Sequence, residues 1–348
     1  MPAIKKIEIP PASCAKNGWL WNEKSGDSQN YEISNKEFPK ISIITPSYNQ
    51  GDFIEETIRS VLLQDYPDIE YIVVDGKSSD NTIELLKKYG NHLTWTSEPD
   101  DGQTDAINKG LKKSTGDIVA YLNSDDIYLP GTFLKIVQYF KNNPETDMIY
   151  GNIVHINKKS EIIEYKKTKQ VTIDNIFTFN VYVPQPTVFL RRSLVKNVGC
   201  FDYKLHLAMD FDYWVRIIKN YNISYVNEYL AAARIYPEAK SSSLTSGYKD
   251  EFLYIIDKFF SDSSAIQMNK LKNKAKGMIY LNAARIELMK FSNKEARKNI
   301  IQSLRIYPRN FLSFSAIGAL ILSFCSARIT KFFIKNKKRI IGSESFSV

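Results

Sequence analysis

The chain has 348 residues, of which 43% are hydrophobic and 24% are charged. This is an ordinary globular composition, and it excludes a disordered or fibrous protein. Lys and Arg number 47 against 38 Asp and Glu, and the resulting net charge of +9 favours anionic partners: nucleic acid, an anionic membrane surface or a phosphorylated substrate.

The cysteines and the N-terminal residues bear on the cellular compartment. Cys14, Cys200 and Cys325 lie far apart, which makes a disulfide framework and a zinc ribbon implausible. Residues 1–13 contain lysines and prolines but lack the apolar segment of a signal peptide. Because the thiols are expected to be reduced, we predict a cytoplasmic protein. Residues 1–38 are polar and irregular, and they predict a separate N-terminal arm.

From Lys40 onward, short apolar runs alternate with amphipathic segments. Residues 41–45 are rich in β-branched side chains, as a buried parallel strand is. Asp52 can cap the helix that follows, with Glu55 three residues later completing a capping box. Further strands are predicted at residues 70–75, 93–96 and 117–122, and further helices around residues 83–86 and over residues 103–113. This alternation predicts an α/β protein with a parallel, doubly wound sheet.

Polar clusters follow each of these predicted strands, at residues 46–50, 75–80, 98–103 and 123–126. Ligands bind at the carboxyl ends of the strands in such sheets, so four polar strand ends predict a binding site, although turn and capping chemistry would explain each cluster alone. Asp125 and Asp126 can hold Mg²⁺ or Mn²⁺ together with substrate phosphates, or can cap the next helix. Asp75 can accept hydrogen bonds from a base or a ribose.

The second half of the chain changes in character. A hairpin is predicted from residues 148–157 and 161–165, an apolar segment at 183–190 and a short helix at 211–218. Three longer helices are predicted at residues 252–260, 268–289 and 293–305. The segment 271–308 has the spacing of one helical-repeat hairpin.

An uncharged run, residues 311–327, is shorter than the roughly 20 residues that span a bilayer. Six basic residues follow it up to Arg339. The segment 311–339 is therefore either a core helix with a solvated basic tail or a surface-lying helix attracted to anionic lipid.

A second acidic pair, Asp210 and Asp212, is flanked by apolar residues. A carboxylate in partly dry surroundings suits a general base, whose pKa is set by burial and by its neighbours. The alternative is a helix N-terminus, which favours acidic side chains. The pair alone does not decide between these two interpretations.

In combination, the motifs closely resemble family 2 glycosyltransferases, most of all the bacterial subgroup of O-antigen and exopolysaccharide synthesis. The resemblance extends in order over roughly residues 40–245. Its motifs are ISIITPSYN (41–49), YIVVDGKSSDNT (71–82), EPDDGQTDAINKG (98–110), GDIVAYLNSDDIYLP (116–130), QPTVFLRRS (185–193), GCFDY (199–203) and MDFDYWVR (209–216).

The resemblance implies a GT-A fold, with a doubly wound mixed sheet and a C-terminal helical extension, and inverting transfer from a nucleotide-diphospho-sugar. It implies Asp210 as the catalytic base and Asp125 as the ligand of a divalent metal, Mn²⁺ or Mg²⁺. The implied nucleotide-sugar contacts are Pro46, Tyr48, Asn49, Asp75, Asp105, Asn123 and Ser124. The implied acceptor-side residues are Gln185, Pro186, Arg191 and Asp212. The implied acceptor is a saccharide, typically a lipid-linked one.

Three residues depart from the family pattern. Asn123 replaces the first Asp of the Asp-x-Asp motif, and Met209 stands where Glu often precedes the base. Some relatives have an Arg-x-His motif whose His adds a metal ligand, whereas Tyr236 occupies that position here. Asn123 and Tyr236 support the alternative of a catalytically weak or inactive GT-A protein that binds nucleotide or serves as a scaffold. The intact Asp75, Asp125 and Asp210 argue against it.

Two other classes of protein fit the sequence less well. A nucleotidyltransferase needs a glycine-rich, basic phosphate loop, which residues 45–50 do not provide. A nucleic-acid-binding protein is suggested by the charge alone, without any recognised module, so no nucleic-acid partner is predicted. We therefore predict a transferase domain over residues 39–247 and a helical region over residues 248–348. The predicted location is the cytoplasm, or the inner face of the cytoplasmic membrane.

Overall fold

The structure is a computed structural model, and it describes residues 9–12, 38–239, 247–261, 266–312, 314–325 and 330–331. The chain divides into two compact units, Met1–Val171 with Tyr182–Ser242 and Thr172–Val181 with Ser243–Val348. Most of the predicted N-terminal arm (1–38) and of the basic tail after residue 327 lies outside the described residues. The predictions for those two segments therefore stay predictions.

Strands and helices alternate along the first half of the chain. The strands are β1 (Ile41–Ser47), β2 (Ile69–Asp75), β3 (Thr94–Ser97), β4 (Ile118–Tyr121), β5 (Ile127–Tyr128), β6 (Met148–Ile156), β7 (Ile162–Lys166), β8 (Phe189–Arg191) and β9 (Ile223–Arg234). The helices are α1 (Ile54–Leu62), α2 (Thr82–Lys88), α3 (Gln103–Lys113), α4 (Thr132–Asn142), α5 (Ile173–Phe177), α6 (Arg192–Val198), α7 (Met209–Ile218), α8 (Gly247–Phe259), α9 (Ile266–Met289), α10 (Asn293–Ile306) and α11 (Phe314–Phe324).

The strands of the first unit form one mixed sheet in the order β3-β2-β1-β4-β8-β6-β9-β5, with β7 added beside β6. The strands β1 to β4 run parallel to one another. Strand β8 runs antiparallel to both β4 and β6 and so reverses the direction in the middle of the sheet. The doubly wound mixed sheet is confirmed. The purely parallel arrangement predicted from strand–helix alternation holds among β1 to β4 and again between β6 and β9, and β8 interrupts it.

Strand β1 lies in the core of the first unit, and all seven of its residues are buried. Its β-branched side chains suit a strand that is covered on both faces. Helix α3 packs closely against it at Gly110, where an added Cβ would lie 2.3 Å from Cγ2 of Ile44. Glycine at this position therefore lets the helix approach the strand.

The capping box predicted for α1 is wrong. The helix begins at Ile54, and the residue before it, Phe53, makes no side-chain capping bond. Glu55 is instead buried, where it accepts a hydrogen bond from the Tyr89 hydroxyl at 2.9 Å and pairs with Lys88 at 2.9 Å. A carboxylate with two interior partners gains more from them than from an exposed backbone N–H at the helix end.

The second unit consists of α5 and of helices α8 to α11. Helices α8, α9 and α10 lie where three helices are predicted, whereas α5 is not predicted from the sequence. The ring of Phe177 on α5 packs between Phe259 and Phe260, with ring centroids 4.8 and 5.0 Å away. Helices α9 and α10 meet at Gly277, whose carbonyl accepts a hydrogen bond from the Ser303 hydroxyl at 2.7 Å. None of the helices that the structure describes is long and apolar enough to cross a membrane.

Candidate active site

The carboxyl ends of β1, β2 and β3 meet at one edge of the sheet. Ser47 pairs with Asp75 in the register of β1 and β2, and Asp75 pairs with Ser97 in that of β2 and β3. The polar loops that follow these strands are therefore neighbours, as the sequence predicts. Asp75 is fully buried there, and its carboxylate accepts hydrogen bonds from the Ser78 N–H at 2.9 Å and the Ser97 hydroxyl at 2.7 Å.

The loop after β1 is fixed to the loop after β2 through Asn49. Asn49 has a positive φ of 51°, a conformation that Asn tolerates better than most residues. Its N–H donates to the Ser78 hydroxyl at 2.8 Å, and its side-chain oxygen accepts from the Ser79 N–H at 2.8 Å. Pro46 is buried within β1, whereas Tyr48 is 62% exposed. Of the predicted nucleotide contacts in this loop, Tyr48 is thus the side chain free to meet a ligand.

A chain of side-chain hydrogen bonds starts at the end of β4. Gln185 donates to the Tyr121 carbonyl at 2.7 Å and accepts from the Asn123 amide at 3.2 Å. Gln103 donates to the Asn123 side-chain oxygen at 2.7 Å. The Tyr121 hydroxyl donates to Oδ1 of Asp210. The structure therefore joins the predicted base, through the Tyr121 hydroxyl, and one predicted donor contact and one predicted acceptor contact, through the Tyr121 carbonyl, to the same strand end.

The electrostatics of this cluster define the role of Tyr121. Burial, and next the charge of Asp210, raise the pKa of Tyr121 well above its usual value. Tyr121 therefore keeps its proton and remains a hydrogen-bond donor near neutral pH. Asp210, in the first turn of α7, is left as the acceptor of that bond. Sequence motifs do not single out Tyr121 for this role, because a tyrosine inside a buried apolar strand gives no signal of it.

Asp212 differs from Asp210 although it lies only two residues away. Its side chain is 2% exposed and pairs with Arg216 at 2.8 Å within α7. Arg216 also donates to the Val198 carbonyl at 2.8 Å. Asp212 thus holds α7 to the end of α6, whereas Asp210 meets the end of β4.

Asp125 and Asp126 form the loop after β4. The Tyr236 hydroxyl donates to Oδ2 of Asp125 at 2.9 Å, and the Arg234 N–H donates to Oδ1 of Asp126 at 3.0 Å. Burial raises the pKa of Asp125. Burial, and next the charge of Asp125, raise the pKa of Asp126 well above its usual range. Two carboxylates in a poorly solvated loop favour any cation that can offset their charge.

Arg234 organises this loop from β9. Its buried side chain pairs with Glu56 at 2.6 Å and donates from Nε to the Asp125 carbonyl at 3.0 Å. Its guanidinium also lies 4.7 Å from the ring centre of Phe53. From the sequence, Arg234 stands out only as part of an incomplete Arg-x-His motif, and a pairing with a residue 178 positions away leaves no local pattern.

The side chains around Asp125 fit a divalent cation in a limited way. Among the described residues, no three His, Cys, Asp or Glu side chains are grouped as metal ligands. Mg²⁺ is often bound through one or two carboxylates together with substrate phosphates and water. Asp125 can supply one such carboxylate, and the burial that raises its pKa also limits the solvation of its charge.

The remaining predicted site residues lie in different surroundings. Asp105 pairs with Lys109 on α3 at 3.1 Å. Ser124 is buried, and its carbonyl accepts a hydrogen bond from the Thr57 hydroxyl at 2.9 Å. Pro186 is buried in the 3₁₀ turn Gln185–Thr187.

Arg191 lies at the opposite edge of the sheet. It pairs with Ile118, the first residue of β4, whereas Gln185 contacts the last. Its side chain donates to the carbonyls of Thr146 at 2.7 Å and Phe140 at 3.0 Å. The structure therefore does not bring Arg191 together with Asp210 or Gln185.

The parallel strands of the mixed sheet end in polar loops, and carboxylates lie on the loop after β4 and on α7. This is the GT-A nucleotide-diphospho-sugar transferase fold. The same fold occurs in S. aureus TarS 1-349 in complex with UDP-GlcNAc, at 21% identity and a TM-score of 0.55, over 78% of this chain and 92% of that one. It also occurs in the mannosyltransferase PcManGT from Pyrobaculum calidifontis in complex with GDP-Man and Mn²⁺, at 18% identity and a TM-score of 0.55, over 88% of each chain.

Sequence comparison identifies the family. The model of glycosyl transferase family 2 matches residues 42–199. The UDP-Glc:alpha-D-GlcNAc-diphosphoundecaprenol beta-1,3-glucosyltransferase WfgD of Escherichia coli is 33% identical over 190 residues, which are 54% of this chain and 73% of WfgD. The chain therefore belongs to glycosyltransferase family 2 and is a glycosyltransferase. Other relatives at 25–29% identity are matched over 36% to 76% of their own length.

Proposed function

We propose that this protein moves a sugar from a nucleotide-diphospho-sugar to a hydroxyl group of a lipid-linked saccharide, with inversion at the anomeric carbon, in bacterial surface polysaccharide synthesis. The observation that carries the proposal is the contact between Asp210 and Tyr121 at the end of β4, beside the Asn123 cluster. The names of similar proteins support the substrate classes, since WfgD is named for UDP-Glc and a diphosphoundecaprenol-linked acceptor. TarS and PcManGT hold UDP-GlcNAc and GDP-Man.

Asp210 is the general base in this proposal. An acceptor hydroxyl hardly ionises at neutral pH, so a carboxylate must take its proton as the oxygen attacks. The Tyr121 hydroxyl donates a hydrogen bond to the Asp210 carboxylate and so fixes its orientation. The neighbouring carboxylates have other partners, Asp212 with Arg216 and Asp126 with the Arg234 N–H. A covalent intermediate would need a second carboxylate close to the reacting carbon, so the arrangement favours a single, inverting displacement.

The donor would bind along the loops after β1, β2 and β4. Tyr48 and Asn49 lie on the first of these loops and Asn123 on the last. A divalent cation held by Asp125 would neutralise charge on the leaving diphosphate. Gln185 would hold the acceptor side of the pocket, since it joins the end of β4 to the Asn123 amide.

The decisive experiment compares Asp210→Asn with Asp212→Asn. Asparagine keeps the size of aspartate but cannot take the proton, so Asp210→Asn should lower kcat by about 10²–10⁴-fold with the donor Kd nearly unchanged. Asp212→Asn should lower the thermal stability, because it weakens the pair with Arg216. It should lower kcat less than Asp210→Asn does. Glycosyl transfer is measured with a panel of UDP-, GDP- and dTDP-sugars, alongside calorimetric donor Kd.

The outcomes separate transfer from binding alone. If the wild type binds a donor but neither hydrolyses nor transfers it, the protein is an inactive nucleotide-binding member of the family. If Asp212→Asn is the inactive variant and Asp210→Asn retains activity, the base has been assigned to the wrong carboxylate.

We also propose that residues 311–339 attach the protein to an anionic membrane surface. Ile317, Ile321 and Phe324 are exposed on α11 at intervals of four and three residues, so they share one helix face. The basic residues after residue 327 would then meet lipid phosphates. Replacing all three apolar residues with serine should release the protein from phosphatidylglycerol vesicles in sedimentation, whereas Ile301→Ser on α10 should not. Equal binding of both variants would overturn this attachment.

A further inference from the structure

A second apolar surface lies in the first unit, on the hairpin formed by β6 and β7. Its turn is residues 157–161. On the five-residue strand β7, Ile162, Ile163 and Tyr165 are 57%, 50% and 61% exposed. Single exposed apolar residues are normal, but three on one short strand at a sheet margin mark an interaction surface. Within the described residues, β7 pairs with β6 alone, so the strand forms the margin of the sheet.

The charge around these side chains is basic. Five lysines occur between residues 158 and 169, against two glutamates. Both glutamates contact residues of the hairpin: Glu164 pairs with His155 at 2.7 Å, and Glu161 accepts from the Asn157 amide at 2.7 Å. Lys159, Lys167 and Lys169 are exposed. The surface thus combines exposed aliphatic groups, one tyrosine and a surplus of positive charge.

We propose that the β6–β7 hairpin docks on an anionic membrane surface. Lysines near a membrane are attracted by anionic lipid, and tyrosine is favoured at the boundary between headgroups and acyl chains. Ile163 and Tyr165 lie two residues apart and so share one face of β7; they would enter the acyl boundary while the lysines meet the phosphates. A second copy of the chain fits this surface less well, because lysines on a marginal strand oppose pairing with an identical, equally basic strand.

The hairpin is joined to the candidate active site by Arg234. The Arg234 guanidinium donates to the carbonyls of Asn157 at 3.0 Å and Lys158 at 3.3 Å, and to the Ser160 hydroxyl at 2.9 Å. The same side chain donates to the Asp125 carbonyl at 3.0 Å. A docked hairpin would therefore fix the Asp125 loop close to the lipid surface. That this brings in a lipid-linked acceptor rests on the proposed function, whereas the docking does not.

The first test is vesicle sedimentation of the full chain without any substrate. Lys159→Glu, Lys167→Glu and Lys169→Glu together should weaken binding to phosphatidylglycerol vesicles about 10-fold or more. The matched control reverses three exposed lysines elsewhere in the unit, Lys87, Lys112 and Lys141, and changes the net charge equally. The control should retain most of the binding. Equal loss in both variants would show that overall charge alone is responsible and would overturn the proposal.

The second test reports on the hairpin itself and separates it from α11. Ile163→Cys, labelled with a polarity-sensitive dye in a chain whose three native cysteines are serine, should shift its emission to the blue on phosphatidylglycerol vesicles and not on phosphatidylcholine vesicles. The same dye at Lys141→Cys should not shift. An unchanged emission at residue 163 while the chain sediments with vesicles would overturn the proposal. So would light scattering that shows a dimer which Ile163→Ser dissociates. Since no donor or acceptor is present, failure here is distinct from failure of the transferase proposal.

Discussion

Strand β4 has a polar cluster at each end, and the two clusters differ in how completely their hydrogen bonds are satisfied. At the amino end, Glu70 accepts from the Thr115 N–H and hydroxyl, both at 2.6 Å, and also from Ser42. Lys40 pairs with Glu70 at 3.3 Å and donates its N–H to Asp117 at 3.1 Å. Each donor there meets an acceptor within the protein.

The carboxyl end is less complete. The Asn123 amide reaches Gln185 and Asp126 only at 3.2 and 3.3 Å. Among the described residues, the buried hydroxyl of Ser47 has no hydrogen-bond partner. Burial raises the pKa of Asp125, so its charge is poorly solvated. Polar side chains at a strand end are thus structural where all their hydrogen bonds are satisfied within the protein. They are available to a ligand where some of their hydrogen-bonding groups are unsatisfied.

The largest expected effect concerns Arg234, whose ion pair and hydrogen bonds hold the Asp125 loop at the carboxyl end. Arg234→Met removes the cation that pairs with the buried Glu56 carboxylate and should destabilise the fold by about 3–5 kcal/mol in urea unfolding. Arg191→Met is the matched control at the amino end. Arg191→Met removes the donor to two backbone carbonyls but leaves no buried charge without its counter-ion. It should therefore lower the free energy of unfolding by about 1–3 kcal/mol.

The Arg234 prediction has an internal check. Glu56→Met combined with Arg234→Met removes both charges and should recover much of the lost stability, because the stranded carboxylate is gone. An Arg234→Met protein as stable as Arg191→Met would mean that the Glu56 pair is not what holds the Asp125 loop.

The next prediction compares the replacement of one aspartate at each end of β4, which should change the free energy of unfolding in opposite directions. Asp125→Asn should weaken Mn²⁺-dependent donor binding about 10- to 100-fold, the scale of a charge-assisted contact of about 1.5–3 kcal/mol. It should leave the free energy of unfolding unchanged or raised, since burial penalises the charge that it removes. Asp117→Asn at the amino end should do the reverse, lowering stability and leaving donor Kd unchanged. Calorimetric titration of the donor in Mn²⁺ and in EDTA measures the donor Kd, and urea unfolding measures the stability. Equal donor Kd for Asp125→Asn and wild type in Mn²⁺ would contradict the assignment of Asp125 as the metal ligand.

Local patterns predicted the parts of the fold that depend on local sequence. The strands β1 to β4 lie where β-branched runs occur, and the polar residues that follow them meet at one edge because parallel strands share their direction. The hairpin of β6 and β7 is also confirmed, since its two apolar runs are separated by a short turn.

Contacts between distant residues could not be predicted in this way. The apolar pattern at residues 183–190 does not show that β8 enters the sheet between β4 and β6 in the opposite direction. It follows that Arg191, six residues after Gln185, could not be placed at the amino end of β4 from its motif. The pairing of Glu56 with Arg234 and the bond from Tyr121 to Asp210 depend on the same tertiary arrangement.

The smallest effect tests the amino end through pH. Burial alone would raise the pKa of Glu70, but hydrogen bonds from Ser42 and Thr115, with Lys40 nearby, outweigh it and lower the pKa from 4.5 to about 2. Because the folded state holds the ionised form better than the unfolded chain does, this carboxylate stabilises the fold above about pH 4.5. That contribution is lost as the pH falls towards about 2.

Glu70→Gln should therefore lower the free energy of unfolding near pH 7, by about 1 kcal/mol or less since the group is partly exposed to solvent. The difference from wild type should shrink as the pH falls to about 2, where the wild-type carboxyl is itself becoming protonated. Thr115→Ala removes one donor to Glu70 and should move the acid transition of the fold upward in pH. Urea unfolding at several pH values measures all three proteins. A Glu70→Gln difference that is the same at pH 7 and near pH 2 would mean that the shape of the side chain, and not its charge, stabilises the amino end of β4.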